Sequence, residues 1–324
     1  MLNHLNFEPT PLCKVRLKHL GLSETLFKRD DLFLKAGGGS KARMLQFILG
    51  DMRKEFTDVI VTAGGPCSNF NRACALQCAE LGIKMHLIIY TEHDDEYKYS
   101  ENYFICKLAN VTFTRCEKLK VKETIKEVLK DYENKKIRAK YIYGGGRSLE
   151  GVLAYYYAAE ELLAQLKNEK IDNLFIACGT GTTVSGLAAG FQKYSLPTQI
   201  HAVSVARTKK VEMPIIEENI QWINDYCNTN FNSSNIVFHD EFILGEYGAI
   251  NDSLINFIKE FINNTGILID PIYTGKALYG MSEILRNCNS KNNLFWHTGA
   301  IYTLLSNKQK FESENLLEND HLRI

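Results

Sequence analysis

The sequence has no excess of charge. Its 324 residues hold 38 Lys and Arg against 38 Asp and Glu, with 8 His, so the formal net charge is zero. A balanced chain offers no field to draw DNA, RNA or an anionic bilayer, which disfavours a nucleic-acid role before any motif is read. Long apolar runs are also missing. None approaches the ~20 residues that a membrane-spanning helix needs. The stretch Met1–Thr10 has neither a basic n-region nor an apolar h-region, so no secretory signal is visible. Paired cysteine spacings are absent too. The nine Cys are an odd number scattered from Cys13 to Cys288, with no C-x-x-C among them. Structural zinc sites normally show short paired spacings, so no metal site is expected. A reduced, cytoplasmic compartment fits, with most Cys serving as small apolar core residues.

What remains is an ordinary globular composition, 45% hydrophobic, at a length that suggests about two domains. Short β-rich runs alternate with helical spacing. Strands are expected at 58–62, 84–90, 111–115, 141–143, 173–177, 199–205 and 293–297. Helices are expected at 69–81, stopped by Gly82, at 118–133, at 148–167 with Ser148 as the cap, and at 184–194. Strands that are apolar throughout and separated by helices imply parallel sheets covered on both faces. The polar stretch 224–235 reads as a loop or insertion, and the charged tail from Ser306 is expected to fray. No repeat is visible.

Two strand–glycine loop–helix junctions stand out, at Thr62–Asn69 and Gly179–Thr183. A helix N-terminus presents unpaired N–H groups and partial positive charge, and Gly allows an anion close to the backbone. Such short patterns fit either a bound phosphate or simple tight strand–helix packing. The dinucleotide pattern G-x-G-x-x-G fails, because its sixth position is Val184, and no NTP-binding loop is present. Lys41 follows three glycines and Ser40, a good N-cap, at the start of a helical run. The positive end of the helix dipole lowers the pKa of a lysine placed there, as an amine nucleophile forming a Schiff base requires. For a random lysine, a solvated side chain is the ordinary outcome. Lys28, Arg29, Asp30 and Asp31 read as a structural ion-pair cluster. In Leu268–Leu278 a strand-like run ends at Asp270-Pro271. Tyr273 is there a candidate acid or base and Thr274 a candidate partner for a ring nitrogen, or else a packing Tyr and a helix cap. His297 closes the last strand and, taken alone, reads as a satisfied core histidine.

These segments occur together and in one order: Lys28–Leu32, Gly38–Arg43, Gly65–Asn69, Gly179–Thr183, Asp270–Ala277 and His297–Gly299. The set resembles the pyridoxal-phosphate (PLP)-dependent D-cysteine desulfhydrase and 1-aminocyclopropane-1-carboxylate (ACC) deaminase family, and the likeness runs from Thr10 to Gly299. It implies an α/β chain of two open twisted parallel-type sheets flanked by helices, the tryptophan synthase β-like fold (fold type II). A large domain would comprise residues 1–43 and 147–324, and a small one residues 44–146. The resemblance implies pyridoxal 5′-phosphate as cofactor, bound covalently by Lys41, which would also remove the substrate Cα proton. It implies Asn69 at the pyridine 3′-oxygen, and Ser68 over the opposite ring face for substrate carboxylate or proton handling. Gly179, Thr180, Gly181, Thr182 and Thr183 would hold the phosphate. Tyr273 and Tyr247 would stand near the substrate, and Thr274 would face the pyridine nitrogen.

Members that open the cyclopropane ring look to have Tyr-Glu-Gly where this chain reads Tyr273-Thr274-Gly275. A neutral Thr makes a weaker electron sink, sufficient where a good leaving group departs from Cβ. The resemblance therefore implies β-elimination from a small amino acid, with release of pyruvate and ammonia. The alternatives are ACC deamination and a racemase or β-replacement reaction, with a non-catalytic phosphate-binding protein as a rival of another class. A homodimer is implied, with no nucleic-acid or membrane partner. Ser40, Cys67 and Phe70 depart from the family pattern, and a phenyl ring at position 70 can pack against the cofactor or substrate but cannot hydrogen-bond.

Overall fold

The computed structural model describes residues 8–312 except 53–56, 93–94, 168, 287–289 and 300. The expectation for Met1–Thr10 thus falls mostly outside the described residues, as do Cys288 and the end of the charged tail. Ten strands and eleven α-helices are found among the described residues. The strands are β1 (Leu12–Val15), β2 (Thr25–Arg29), β3 (Val59–Gly64), β4 (Lys84–Ile89), β5 (Thr112–Arg115), β6 (Ala139–Tyr141), β7 (Asn173–Cys178), β8 (Gln199–Ser204), β9 (Ile236–His239) and β10 (Asn293–His297). The helices are α1 (Ser40–Met52), α2 (Asn69–Leu81), α3 (Asp95–Tyr99), α4 (Glu101–Leu108), α5 (Val121–Asn134) and α6 (Leu149–Leu166), then α7 (Thr182–Lys193), α8 (Lys209–Cys227), α9 (Asp252–Thr265), α10 (Thr274–Arg286) and α11 (Ile301–Ser306).

Two open sheets result. One has six strands in the order β1-β2-β10-β7-β8-β9, and the other four in the order β5-β4-β3-β6. Every pairing is parallel except β1 with β2. The physical reason is visible in β7. Leu174 and Ile176 point into one core, shared with α1, α6 and α7, while Phe175 and Ala177 point into a second, shared with α9 and α10. A strand buried on both faces has no polar side to alternate, and so it reads as a continuous apolar run. Strand β3 repeats this, with Ile60 on one side and Val59, Val61 and Ala63 on the other.

The helix ends also follow local chemistry. Ser68, Ser148 and Asn251 cap α2, α6 and α9 by accepting a backbone N–H, and Gly82 closes α2 in a left-handed conformation. The stretch 224–235 is not all loop. Asn224 lies inside α8, and its amide organises the following turn by bonding Thr229 and Phe231. The segment before Asp270 is likewise not a strand, since no ladder forms there. Polar and turn-rich composition alone does not distinguish a helix end from the loop after it.

The sheet order fixes where a ligand can sit. In each sheet the chain leaves one strand for a neighbour on one side and returns later to its other side. β7 is flanked by β8 and β10, and β3 by β4 and β6. Crevices at the carboxyl ends of such strands are the usual binding places of open α/β sheets. The loops leaving β7, β3, β6 and β10 are Gly179–Gly181, Gly65–Ser68, the Gly144–Gly146 turn and Thr298–Gly299.

Candidate active site

Lys41 enters the site through a strained approach. Residues Ala36, Gly37, Gly38 and Gly39 all have positive φ, at 49°, 73°, 78° and 92°. Left-handed backbone costs an L side chain roughly 1–2 kcal/mol per residue, which accounts for three glycines in a row. Helix α1 then starts at Ser40, whose N–H donates to Thr298 O at 2.8 Å, while Gly39 O accepts from Ala42 and Arg43. Gly39 therefore takes the cap position expected for Ser40. The Lys41 amine donates to Gly145 O at 3.0 Å and lies 3.8 Å from Met44 Sδ. Burial lowers its pKa to about 8, with the nearby Cys178 opposing the shift. The direction is the one the helix-start argument predicts, but removal from water is the main cause.

The loop after β7 forms the far wall. Gly179 and Thr180 are partly open, and Gly181 holds φ at 69° as the residue before α7. A side chain on Gly181 would also meet Ile216 Cγ1 at 2.7 Å and Glu212 Oε1 at 3.0 Å. The Thr180 and Thr182 hydroxyls are 3.0 Å apart. Ser185 N donates to Gly181 O at 2.8 Å as the first bond of the helix, so the amides before it have no partner within the helix. Gly145 packs on this loop, a Cβ there lying 3.3 Å from Thr180 Cγ2. One glycine turn thus touches both Lys41 and the phosphate-type loop.

On the side of the four-stranded sheet, Ser68 Oγ accepts from Asn71 N at 3.2 Å, which leaves its own proton to donate. Asn69 donates to Thr303 Oγ1 at 2.8 Å and accepts from Asn102 Nδ2 at 3.2 Å. Phe70 is turned into the core. It is 1% exposed and packs on Gly146 and Met44 in the core, because the α2 period turns it inward. Arg72, two residues on, is not among the residues that the sequence singles out. It is buried, donates to Ala36 O, to Gly38 O at 3.4 Å and to Asn102 Oδ1 at 3.0 Å, and stacks on the Tyr302 ring. Burial lowers its pKa to about 10. No spacing signal marks it.

Tyr273 closes the site from the turn that leads into α10. Its hydroxyl lies 2.6 Å from that of Tyr247, and its ring edge is 3.9 Å from where a Cβ on Gly179 would stand. Burial, followed by Tyr247 and with Cys67 also nearby, raises its pKa well above the usual value, so it acts as a neutral donor. Thr274 is wholly enclosed and its hydroxyl donates to Asp270 Oδ1 at 2.7 Å. Asp270 also accepts the amides of Ile272, Tyr273 and Thr274, each at 2.9 Å, so this carboxylate is taken up by the start of α10. His297 is a satisfied core residue, with Nε2 on Leu268 O at 2.8 Å and Nδ1 accepting from Gly299 N at 3.2 Å. Lys28 and Asp30 belong to a buried ion network with Arg43 and Glu161, as the cluster reading predicts. No group of metal ligands occurs among the described residues.

The donor set suits one kind of small molecule. A partly deprotonated buried amine suits an aldehyde carbon. Helix amides and threonine hydroxyls beside it suit a phosphate, and the Asn69 amide suits a phenolic oxygen. Comparison with known proteins agrees. Residues 4–299 match the family model described as pyridoxal-phosphate dependent enzyme. The chain is 30% identical over 308 residues to a D-cysteine desulfhydrase of Yersinia enterocolitica, covering 92% of this chain and 93% of that protein. It is 31% identical over 316 residues to a mitochondrial bifunctional D-cysteine desulfhydrase/1-aminocyclopropane-1-carboxylate deaminase of Arabidopsis thaliana, covering 91% and 77% respectively. A crystal structure of an ACC deaminase homologue superposes with a TM-score of 0.86 at 25% identity, covering 94% of this chain and 93% of that one. With a lysine amine and a phosphate-type loop joined through Gly145, and a match that runs almost end to end, the chain belongs to the pyridoxal-phosphate dependent enzymes of the D-cysteine desulfhydrase and ACC deaminase group.

Proposed function

We propose that the protein is a lyase that eliminates the Cβ substituent of a small amino acid, as a D-cysteine desulfhydrase does. The observation that carries this reading is the chemistry at Thr274. A neutral hydroxyl stands where ring-opening relatives look to have Glu, and the nearest carboxylate, Asp270, is engaged by three amides and by Thr274 itself. No free negative charge is then offered to a ring nitrogen. That suffices for expelling a thiolate and is poor for opening a strained carbon ring.

Pyridoxal phosphate, when bound, supplies the electron sink for a negative charge at the substrate Cα. Lys41 would hold it covalently, the amides of α7 with Thr180, Thr182 and Thr183 would hold its phosphate, and Asn69 its phenolic oxygen. Freed by substrate, the Lys41 amine takes the Cα proton. Its lowered pKa keeps a useful fraction neutral near neutral pH. Ser68, whose hydroxyl proton is free to donate, binds the substrate carboxylate. Tyr273 is a neutral donor beside Tyr247, suited to a departing sulfur. For cysteine the balance is cysteine plus water giving pyruvate, ammonia and hydrogen sulfide.

We take 44–146 as a small domain against a large one of 1–43 and 147–324, because the four-stranded sheet falls wholly within the first and the six-stranded sheet within the second. A homodimer follows from the family resemblance, and a reduced cytoplasmic compartment from the scattered cysteines. The test is incubation with D- and L-cysteine, D-serine and ACC. Pyruvate from a β-substituted amino acid supports elimination, and its absence with every one of them removes the proposal. The likeness to a bifunctional enzyme and to an ACC deaminase homologue favours ACC as a second substrate. Release of 2-oxobutanoate would establish that activity.

A further inference from the structure

Tyr247 reaches the site from a segment with little structure of its own. Between β9 and α9, residues 240–250 form neither helix nor ladder. Leu244, Gly245 and Gly248 have positive φ, at 64°, 100° and 86°. Ala249 N donates to Glu246 O at 3.2 Å, which puts Tyr247 and Gly248 at the centre of a turn of the kind that wants Gly at its third position. Tyr247 is 56% exposed. Left to itself, such a turn would sample many positions.

One buried cation opposes this. Lys276 is 1% exposed, and its amine donates to Ile243 O at 2.7 Å. Its charge also feels Asp270, the carboxylate that starts α10. A buried ammonium bonded to a carbonyl is a strong, directional tie, since loss of either partner leaves a desolvated polar group behind. Phe242 packs beside it on Gly280 and Tyr279, and Ile243 is itself buried. The segment is therefore fixed at 242–243, Leu244 packs on the same core, and the exposed turn begins at Gly245. Lys276 lies three residues after Tyr273, whose hydroxyl meets that of Tyr247 at 2.6 Å. The start of α10 thus places one tyrosine in the turn just before it and the other through the loop that its lysine grips.

We propose that Lys276 is a positioning residue that holds the 244–249 turn so that Tyr247 stays against Tyr273 at the substrate side of the site. The proposal rests on the amino-acid lyase reading only for the substrate whose binding it affects. The test is Lys276→Met, which keeps the stem and removes the donors. Hydrogen exchange at the amides of 244–249, measured on the cofactor-loaded protein without substrate, should quicken by about tenfold or more. KM for the amino acid that is eliminated should rise several-fold, while kcat and the cofactor absorption band stay within about twofold. In a Tyr247→Phe background the same change should add little to KM. Unchanged exchange overturns the proposal, and so does a KM effect fully additive with Tyr247→Phe. Should Lys276→Met fail to fold, Lys276→Gln, too short to reach Ile243 O, carries the same expectations. Exchange is read without turnover, so a protein that eliminates nothing but shows the quickened amides refutes the lyase reading and leaves this one standing.

Discussion

Helix α1 presents two cations, two residues apart, to opposite fates. Arg43 turns into a closed network. It pairs with Asp30 at 2.8 Å and with Glu161 at 2.7 Å, while Lys28 joins Glu161 and donates to Thr10 O at 2.6 Å and Gln165 at 2.7 Å. Tyr155 and Trp296 complete Asp30, at 2.6 and 2.9 Å. Lys41 has a carbonyl and a thioether instead of a carboxylate. Burial acts on both. It works against ionisation of Asp30, but Arg43 and Lys28 outweigh it and hold that carboxyl at about 2. Nothing comparable offsets burial at Lys41, so its pKa falls to about 8. A paired buried charge fixes a structure, and an unpaired amine at the mouth of a crevice is kept reactive. The arginine fixes the same first turn of α1 that carries Lys41, the proposed nucleophile.

Lys41→Ala tests the reactive half of this contrast. Loss of the covalent link and of the Cα base should lower turnover by on the order of 10²–10⁴-fold or more. The absorption band of the lysine-bound cofactor should vanish, while the urea midpoint stays near the parent's, because no ion pair is broken. A collapse of stability would instead make Lys41 part of the structural network. Asp30→Asn tests the other half. It leaves Arg43 and Lys28 short of a buried counter-charge, which costs roughly 3–5 kcal/mol by the measure of broken buried pairs. Denaturation by urea should show that loss, with cofactor uptake retained in whatever fraction stays folded. If uptake disappears from well-folded protein, the two halves are not separable.

The pH dependence sharpens the same division. In cofactor-free protein, the Lys41 amine gains its proton as pH falls through about 8. Covalent uptake of pyridoxal phosphate should slow about tenfold for each unit below that. The sign for stability follows from the depressed value. Between about 8 and the ordinary lysine value near 10.4, the unfolded chain binds more protons than the folded one, so stability rises with pH across that window and is flat below it. Asp30 acts at the other end. Its contribution is complete above about 4 and is lost as pH falls through about 2. A capture rate that is flat between pH 6 and 9 would mean that the amine is not desolvated.

Much of this was legible in the chain because the residues that set it are local. Strand β10 spans 293–297 and helix α2 spans 69–81, as their periodicity predicts, and the order of glycine loops carried the family resemblance. What escaped depends on partners distant in sequence. Whether Phe70 faces a ligand or the core is decided by Gly146 and Met44, not by its neighbours. Arg72 meets a carbonyl 36 residues upstream, and Lys276 one 33 residues upstream, and neither distance leaves a mark in spacing. The left-handed run before Lys41 moved the helix cap from Ser40 to Gly39 because Thr298, near the other end of the described chain, takes the Ser40 amide.

Ser68 is where the structural and chemical roles overlap in one side chain, and substitution can part them. Its oxygen caps α2 by accepting from Asn71 N at 3.2 Å, and its hydroxyl proton is the one proposed for the substrate carboxylate. Replacing an N-cap serine by alanine costs about 1 kcal/mol, whereas glycine in its place costs only a few tenths, since glycine leaves the helix end open to water. Ser68→Ala should therefore lower stability measurably and Ser68→Gly hardly at all. Both remove the same proton donor, so both should raise KM for the amino acid by a similar factor, about three- to tenfold for one hydrogen bond to a charged group at a partly open site. Equal KM effects with unequal stability would place the carboxylate on Ser68. A KM that follows stability, changed in the alanine variant and not in the glycine one, would reduce Ser68 to a helix cap and move the search for the carboxylate partner to the backbone of the Gly65–Ser68 loop.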